Sequence, residues 1–591
     1  MLPWAPTLTL AILLVPLLAG VAGTLAPALG WLPALGRDAI SLAAWRDLLA
    51  WPGLTRSAAL SVTTGLLATA LSLGTTVLIC AAWQGTRLFV AIERPLAPLL
   101  AVPHAAAAFG LAFLIAPSGW MVRALSPWAT GWTAPPDVLI VQDPHGLAMV
   151  SGLVVKEVPF LLLMTLAALG QTDANRSRLT AETLGYGHVT AWVKSVLPQV
   201  YPQIRLPIYA VLAYSMSVID VALILGPTRP PTLAVQILHW TNDPDLALRF
   251  RASAGAVLQL MLVLGTLGLW RLGELIGARL GRVWIEAGGR GARDSVFRVL
   301  ALGGAGLSAS AVFLGLIGLA VWSVAGLWTF PDVLPQAFSG RAWAYASGEL
   351  GAVVGETARI GGAATLVALV LTLACLEAEH RVGVQPTIKT LEDRRLDSLS
   401  QVSVRQASVV GRDRRARPAR SLWLLYLPLL IPQIVFLLGL QTLATAVGMN
   451  GGQLSVIAVH VIFVVPYVFL SLADPFRAWD PRMGLAAATL GAGPDRVFWA
   501  VRLPLLLRPV LAAAAVGFAV SVGLYLPTLL IGAGRVSTLT TEAVALASGG
   551  DRRLIGVYAL TQAAAAFIGF TAALAIPALV FRNRRALRLH A

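Results

Sequence analysis

The sequence predicts an all-α polytopic membrane protein of about twelve transmembrane helices, arranged as two homologous six-helix halves. Of the 591 residues, 57% are hydrophobic and only 12% are charged, and the mean hydropathy is +0.77. Soluble domains rarely have this composition. Apolar runs of roughly 20 residues, enough for a helix to cross a bilayer, recur along the whole chain. These runs are too long, and alternate too little, to be strands of a membrane barrel.

The apolar windows place the predicted spans in order along the chain. The first six lie near 7–25, 57–83, 95–117, 146–170, 203–226 and 253–278. The other six lie near 299–328, 357–376, 421–446, 454–473, 507–532 and 555–581. No Lys or Arg precedes the first span, so we expect an uncleaved helix there rather than a signal peptide.

Basic residues are concentrated in alternate loops, which is the distribution that the positive-inside rule describes. The net charge of +16 therefore indicates membrane orientation rather than a nucleic-acid partner. The basic loops lie near 171–202, 279–298, 377–420 and 477–505. We expect these loops and both termini to be cytoplasmic. The loops expected to face outward lie near 26–56, 118–145, 227–252 and 533–554.

The longest basic loop, 377–420, is polar and only weakly periodic. This composition favours a disordered, solvated linker. Contact with anionic lipid is the alternative interpretation.

A 16-residue motif occurs twice at matched positions. The chain reads TLGYGHVTAWVKSVLP at 183–198 and TLGAGPDRVFWAVRLP at 489–504. The register continues downstream, because Gly226 and Gly532 lie equally far beyond the two Leu-Pro pairs. We therefore divide the chain into halves of about 1–290 and 291–591, related by a pseudo-two-fold axis along the membrane normal.

Each copy of the motif predicts a short helix on the membrane surface. Gly185 and Gly491 follow helix-forming runs, and glycine readily ends a helix. A short amphipathic segment comes next, and Leu-Pro then restricts the backbone before the following span. We expect each helix to display an aromatic residue, Trp192 or Phe498, for docking by another protein. The alternative is a pair of ordinary amphipathic connectors.

These two copies resemble the cytoplasmic EAA loop in permease subunits of ATP-binding-cassette (ABC) importers. The matching loops are about 179–198 and 485–504, with the family's glycine at Gly185 and Gly491. The family's glutamate is absent, and leucine stands in its place in both copies. The chain is similar to fused permeases of the iron(III) and thiamine type, and most similar to the thiamine type.

The resemblance implies that each loop is a coupling helix seated in one ATPase subunit, with ATP-driven closure turning the pathway outward. The residues that would carry this role are Gly185, Gly187, Trp192, Leu197, Pro198, Gly491, Gly493, Phe498, Leu503 and Pro504. No phosphate-binding G-x-x-x-x-G-K-[ST] motif occurs in the chain. We therefore expect no cofactor on this chain, with ATP and Mg²⁺ bound by two partner ATPase subunits.

The resemblance also implies a multi-pass protein of the bacterial inner membrane that meets a periplasmic substrate-binding protein. Arg229, Arg535 and Glu542 lie in outward segments where such a protein would dock. Helix capping and loop solvation are the alternative roles for these residues.

An acidic or basic group at the bilayer midplane costs roughly 2.5 to 3.5 kcal/mol to insert. Among the charged residues inside predicted spans, Asp220, Lys156 and Glu157 are the candidates for the pathway or its gating. Asp220 has Leu526 as its counterpart in the repeat, so a site there is asymmetric. The substrate we expect first is a thiamine-like cation and second iron(III), with polyamines and sulfate-like anions left open.

Two other functions remain as alternatives. One is a twelve-helix secondary transporter driven by an ion gradient, since such transporters are also built from two parallel halves. The other is a membrane enzyme acting on lipid, which would need paired catalytic groups. No nucleophile motif and no histidine spacing typical of a metal site occurs in the sequence, so we expect no catalysis by this chain.

Overall fold

A computed structural model describes residues 4–291, 294–397, 420–448 and 451–582. Helices account for the regular secondary structure of these ranges, which confirms the predicted all-α polytopic class. The longer apolar helices are the candidate membrane spans, and shorter helices lie between them in the chain.

The helices of the first predicted half are numbered in chain order. They are α1 (Ala5–Ala28), α2 (Ala43–Leu49), α3 (Leu54–Trp83), α4 (Arg87–Glu93), α5 (Leu96–Ala101), α6 (His104–Ile115), α7 (Trp120–Leu125), α8 (Leu147–Leu169), α9 (Ala174–Thr183), α10 (His188–Ser195), α11 (Leu197–Ser217), α12 (Asp220–Leu225), α13 (Leu233–Thr241) and α14 (Leu248–Glu286).

The second predicted half continues the numbering. Its helices are α15 (Ser295–Ser323), α16 (Arg341–Asp397), α17 (Leu427–Leu430), α18 (Gln433–Ala446), α19 (Gln453–Arg477), α20 (Pro481–Thr489), α21 (Pro494–Val497), α22 (Leu503–Leu505), α23 (Leu507–Gly523), α24 (Leu526–Gly532), α25 (Leu539–Ala547) and α26 (Arg552–Val580). A single π-helical turn, Phe498–Arg502, joins α21 to α22.

The described residues contain nine helices long and apolar enough to span a membrane, or eleven if two sharply bent pairs each count as one span. The sequence predicted about twelve. The missing one is 203–226, which the structure divides into α11 and α12 at an extended residue, Val218. The first half of α11 also carries Gln, Arg and two internal prolines, so it is less apolar than a typical span.

The predicted loop 377–420 is wrong at its beginning, because α16 continues to Asp397. Glu377 and Arg381 lie one helical turn apart and form an ion pair at 2.7 Å, which stabilises this continuation. The rest of the predicted loop, 398–419, lies outside the described residues.

The two predicted halves pack closely against each other. Helix α1 lies against α18, and α15 lies against α6, so the first helix of each half contacts the other half. Small residues permit this approach: a Cβ atom on Gly110 would lie 2.8 Å from the carbonyl carbon of Gly315. Buried apolar side chains of α6, α12, α18 and α24 then form one core around the centre of the molecule. The division near residue 290 stays a prediction.

Candidate functional site

A cavity of about 2510 Å³ lies between the two predicted halves. Its inner end is lined by Asp220 of α12 and Tyr525, which precedes α24. Its other end is lined by residues beside the repeated loops, among them Gln171, Pro481 and Pro494. The cavity therefore extends from the break between α11 and α12 to the side of the molecule that carries α9, α10, α20 and α21.

Lys156 lies in the cavity wall, but its charge is directed into the protein. The buried ammonium donates hydrogen bonds to the carbonyl oxygens of Leu99 at 2.8 Å and Val102 at 2.6 Å. These carbonyls lie at the end of α5, where helical C=O groups have no partner of their own. Lys156 thus caps the broken helix α5–α6, and its part in the pathway stays a prediction.

Two carboxylates lie at the inner end of the cavity. Glu157 is 4% exposed, and its Oε1 lies 3.4 Å from Nε2 of His104, the first residue of α6. Asp220 is 7% exposed. In the part of the chain that the structure describes, no Lys, Arg or His nitrogen lies within 4.0 Å of its carboxylate. Two of the three predicted charged residues, Glu157 and Asp220, therefore line the same end of the cavity. His104, which the sequence analysis missed, contacts Glu157 but not Asp220.

Three half-buried tyrosines line the cavity together with these acids. Tyr214 comes from α11, and its ring centroid lies 5.0 Å from that of His104. Tyr467 comes from α19, and Tyr525 precedes α24. The inner end is consequently acidic on the side of the first half and aromatic on both sides.

The first repeated loop forms the predicted pair of short helices. Gly185 lies between α9 and α10 with a φ angle of +85°, a left-handed conformation that favours glycine. Gly187 then occupies the N-cap of α10. Trp192 is fully buried, and its Nε1–H donates a hydrogen bond to Oε1 of Gln84, the residue that follows α3. The prediction that Trp192 is displayed is wrong, because the apolar face of α10 packs inward.

The second loop has the same backbone course. Gly491 has a φ angle of +84°, and Gly493 is the N-cap of α21. Phe498 is buried, so the prediction that it is displayed is also wrong. The most exposed apolar side chains here are Leu490, at 88%, and Trp499, at 66%. Trp499 directly follows Phe498 and so points to another face of the helical turn, a signal that the sequence analysis did not use.

The Leu-Pro pairs mark where each loop re-enters the body. Leu197 and Pro198 begin α11, whereas Leu503 and Pro504 begin the short helix α22. In the second copy the chain bends by 73° between Pro494–Leu505 and α23. Each pair therefore lies at the junction between a surface helix and a membrane helix.

The segment that joins the two predicted halves covers the first loop. The backbone N–H of Gly187 donates to the carbonyl oxygen of Arg290 at 3.0 Å. Lys194 Nζ donates to the carbonyl oxygens of Trp284 at 3.0 Å and Gly289 at 2.9 Å. The two loops are therefore not equivalent surfaces, since a Cβ on Gly491 or Gly493 would meet no atom within 4 Å.

An acidic side chain joins the two helices of the first loop even though the family's glutamate is absent. Glu182 Oε1 lies 2.6 Å from Arg178 Nη1 and 2.7 Å from His188 Nδ1. Burial lowers the pKa of His188, and the charge of Arg178 adds to this effect. Glu182 thus links α9 to α10.

Charged side chains attach the second loop to α16. Arg502 forms a buried ion pair with Glu377, and its guanidinium lies 4.2 Å from the ring centroid of Trp479. Arg381 bridges Glu377 to Asp495 of α21, at 2.7 and 2.8 Å. The Arg502–Glu377 and Arg381–Asp495 contacts join residues 125 and 114 positions apart, which no local sequence pattern indicates.

The three residues predicted to meet a binding protein lie beyond α11 and α23, past the ends of these helices that are farther from the two loops. Arg229 precedes α13 and Arg535 precedes α25, and both side chains are exposed. Glu542 lies in the first turn of α25 and is partly buried. None of the three lines the cavity.

Comparison with known proteins connects this geometry to a family. The chain is 31% identical over 528 residues to the inner membrane ABC transporter permease protein YnjC of Escherichia coli strain K12, covering 89% of this chain and 88% of YnjC. The chain belongs to the ABC transporter permease family. The permease is thus a membrane subunit of a transporter, and its relatives are transport proteins rather than enzymes.

Shorter regions of the permease match other members. It is 32% identical over 153 residues to the molybdenum transport system permease protein ModB of Mycobacterium tuberculosis, covering 24% of this chain and 58% of ModB. It is 32% identical over 98 residues to the spermidine/putrescine transport system permease protein PotC of Haemophilus influenzae, covering 17% of this chain and 38% of PotC. No family model matches the chain. No solved structure matches it either.

Proposed function

We propose that this permease forms the transmembrane pathway of an ABC importer for a small solute in the bacterial inner membrane. The observation that carries the proposal is the cavity between the two predicted halves, which extends from buried acids to the two repeated loops. In this proposal the loops and both termini are cytoplasmic. The cavity then opens to the cytoplasm, which is the state expected before ATP binds.

The motor in this proposal is a pair of ATPase subunits that bind ATP and Mg²⁺ and dock at the two loops. Exposed Leu490 and Trp499 support docking at the second loop, since apolar side chains outside the bilayer favour a protein contact. Closure of the ATPase pair draws the loops together and turns the cavity outward. A periplasmic binding protein then delivers solute near Arg229, Arg535 and Glu542.

The proposed substrate is a thiamine-like cation first and iron(III) second. Two buried carboxylates at the inner end of the cavity favour a positively charged solute. Two relatives belong to transport systems for different solutes, molybdenum for ModB and spermidine and putrescine for PotC. A polyamine agrees with the same carboxylates. The rival function is a secondary transporter, which needs no ATPase.

The left-handed glycines of the two loops provide the test. We expect the double variant Gly185→Asp, Gly491→Asp to lose its ATPase, because each change strains the backbone and adds a carboxylate at the docking surface. Co-purification from membranes at equal expression should fall about tenfold or more, equivalent to about 1.4 kcal/mol of association energy.

The control is Gly36→Asp, Gly131→Asp. These glycines have φ angles of +74° and +72° and open space around a Cβ atom, but they lie in loops predicted to face outward. The control should retain the ATPase. A wild-type chain that carries no ATPase, and accumulates solute on a proton or sodium gradient, would establish the secondary transporter instead.

A further inference from the structure

We infer that the inner end of the cavity is a binding site for an organic cation, formed by the carboxylates of Glu157 and Asp220 and the rings of Tyr214, Tyr467 and Tyr525. The inference rests on the proposed function and assigns to it a site and a class of substrate. The permease itself would then select the solute, in addition to the binding protein that delivers it.

The charge balance at this end of the cavity leaves one acid without a cationic side chain at contact distance. Asp220 is 7% exposed and lines the cavity, with no cationic side chain within 4.0 Å in the described ranges. Lys156, the nearest cation in the sequence to Glu157, is bound to the carbonyls of Leu99 and Val102. A buried carboxylate is costly unless a cation accompanies it. A cationic ligand would supply that charge.

The aromatic rings favour an organic cation over a bare metal ion. Tyrosine faces attract ammonium groups within about 6 Å of the ring centroid, and several rings around one cation are the usual recognition of quaternary and primary amines. The cavity volume of about 2510 Å³ also exceeds the 300 to 1,000 Å³ of typical ligand pockets. The solute therefore has room to pass toward the loops after it leaves the site.

The site takes unlike contributions from the two predicted halves. Both acids belong to the first half, whereas the second half places Leu526 at the position of the repeat that corresponds to Asp220. The second half contributes Tyr467 and Tyr525 instead. A ligand held between these groups touches both halves, so a relative movement of the halves would separate the acids from the tyrosines and release the ligand.

The test is equilibrium binding to the purified permease–ATPase complex without nucleotide, with radiolabelled thiamine, spermidine and molybdate as probes. We expect at least one of the two organic cations to bind, and molybdate not to bind. Asp220→Asn and Glu157→Gln should each weaken that binding at least tenfold. Tyr467→Leu should weaken it as well, whereas Tyr467→Phe, which keeps the aromatic face, should bind as the wild type does.

The matched control is Glu356→Gln, which removes an acid of α16 that pairs with Arg359 and lies outside the cavity wall. It should leave cation binding unchanged. Retention of the ATPase by every variant reports that the chain is folded. It also separates the two proposals: a complex that holds its ATPase but binds neither cation overturns the site alone. Equal affinity in Asp220→Asn and wild type, or binding of molybdate lost in the same variants, also overturns it.

Discussion

Replacing Gly439 with leucine is expected to abolish accumulation of the folded permease in the membrane. A Cβ atom at this position would lie 2.5 Å from the backbone nitrogen of Thr24 and 2.6 Å from the carbonyl carbon of Gly23, and still closer to the carbonyl oxygen of Gly20. All three are backbone atoms of α1, so no rotamer change relieves the clash. Overpacking alone costs about 1 to 3 kcal/mol where side chains can adjust, and here α1 and α18 must separate.

The measurement is the yield of monodisperse protein after solubilisation, at equal expression. Gly306→Leu is the control, because Gly306 is an exposed helical glycine of α15 with no atom within 4 Å of its Cβ position. The control should give the wild-type yield. Equal yields from Gly439→Leu and the wild type would show that α1 and α18 do not pack as described.

Arg502→Met is expected to destabilise the permease by about 3 to 5 kcal/mol, the usual cost of removing one partner from a buried ion pair. The side chains of Arg502 and Glu377 are 4% and 5% exposed, so the remaining carboxylate has little access to water and keeps only the partly exposed Arg381 as a partner. The double variant Arg502→Met, Glu377→Met should recover most of the loss, because Arg381 still pairs with Asp495 and no buried charge is left unpaired. Thermal unfolding of the purified chain measures all three proteins.

The matched comparison is Arg477→Met, which removes an ion pair to Glu379 on the same helix, α16. The Arg477 side chain is 33% exposed, so this pair should contribute no more than about 1 kcal/mol. If Arg502→Met unfolds at the wild-type temperature, the second loop is not attached to α16 through this pair. If the double variant is no more stable than the single one, Glu377 acts through another partner.

The fold class could be predicted because its signals are local. Long apolar runs predict membrane helices wherever they occur, and the structure has helices at each of the twelve predicted positions. Gly185 and Gly491 also predicted where α9 and α20 end, since a left-handed turn favours glycine. The predicted span 203–226 was less accurate, because hydropathy alone does not detect the break at Val218.

The contacts of the candidate site were beyond sequence reasoning, because they depend on distant parts of the chain. The residues in the His104–Glu157 contact are 53 positions apart, and those in the Glu377–Arg502 pair are 125 apart. Trp192 is amphipathic enough to face either way, and only the packing of α10 against α3 decides that it is buried. Hydropathy does identify Asp220 as unusual, but not the tyrosines around it.

The most direct test of the central claim is the distance between the two loops during ATP binding. Spin labels at Thr183→Cys and Thr489→Cys would occupy exposed, equivalent positions of the repeat, while the native Cys80 and Cys375 are buried. Pulsed electron paramagnetic resonance of the permease–ATPase complex should show a shorter distance between the two labels when a non-hydrolysable ATP analogue binds. The longer distance should return when the nucleotide is removed. A label-to-label distance that does not change with nucleotide, but changes with a proton or sodium gradient, would contradict an ATP-driven permease.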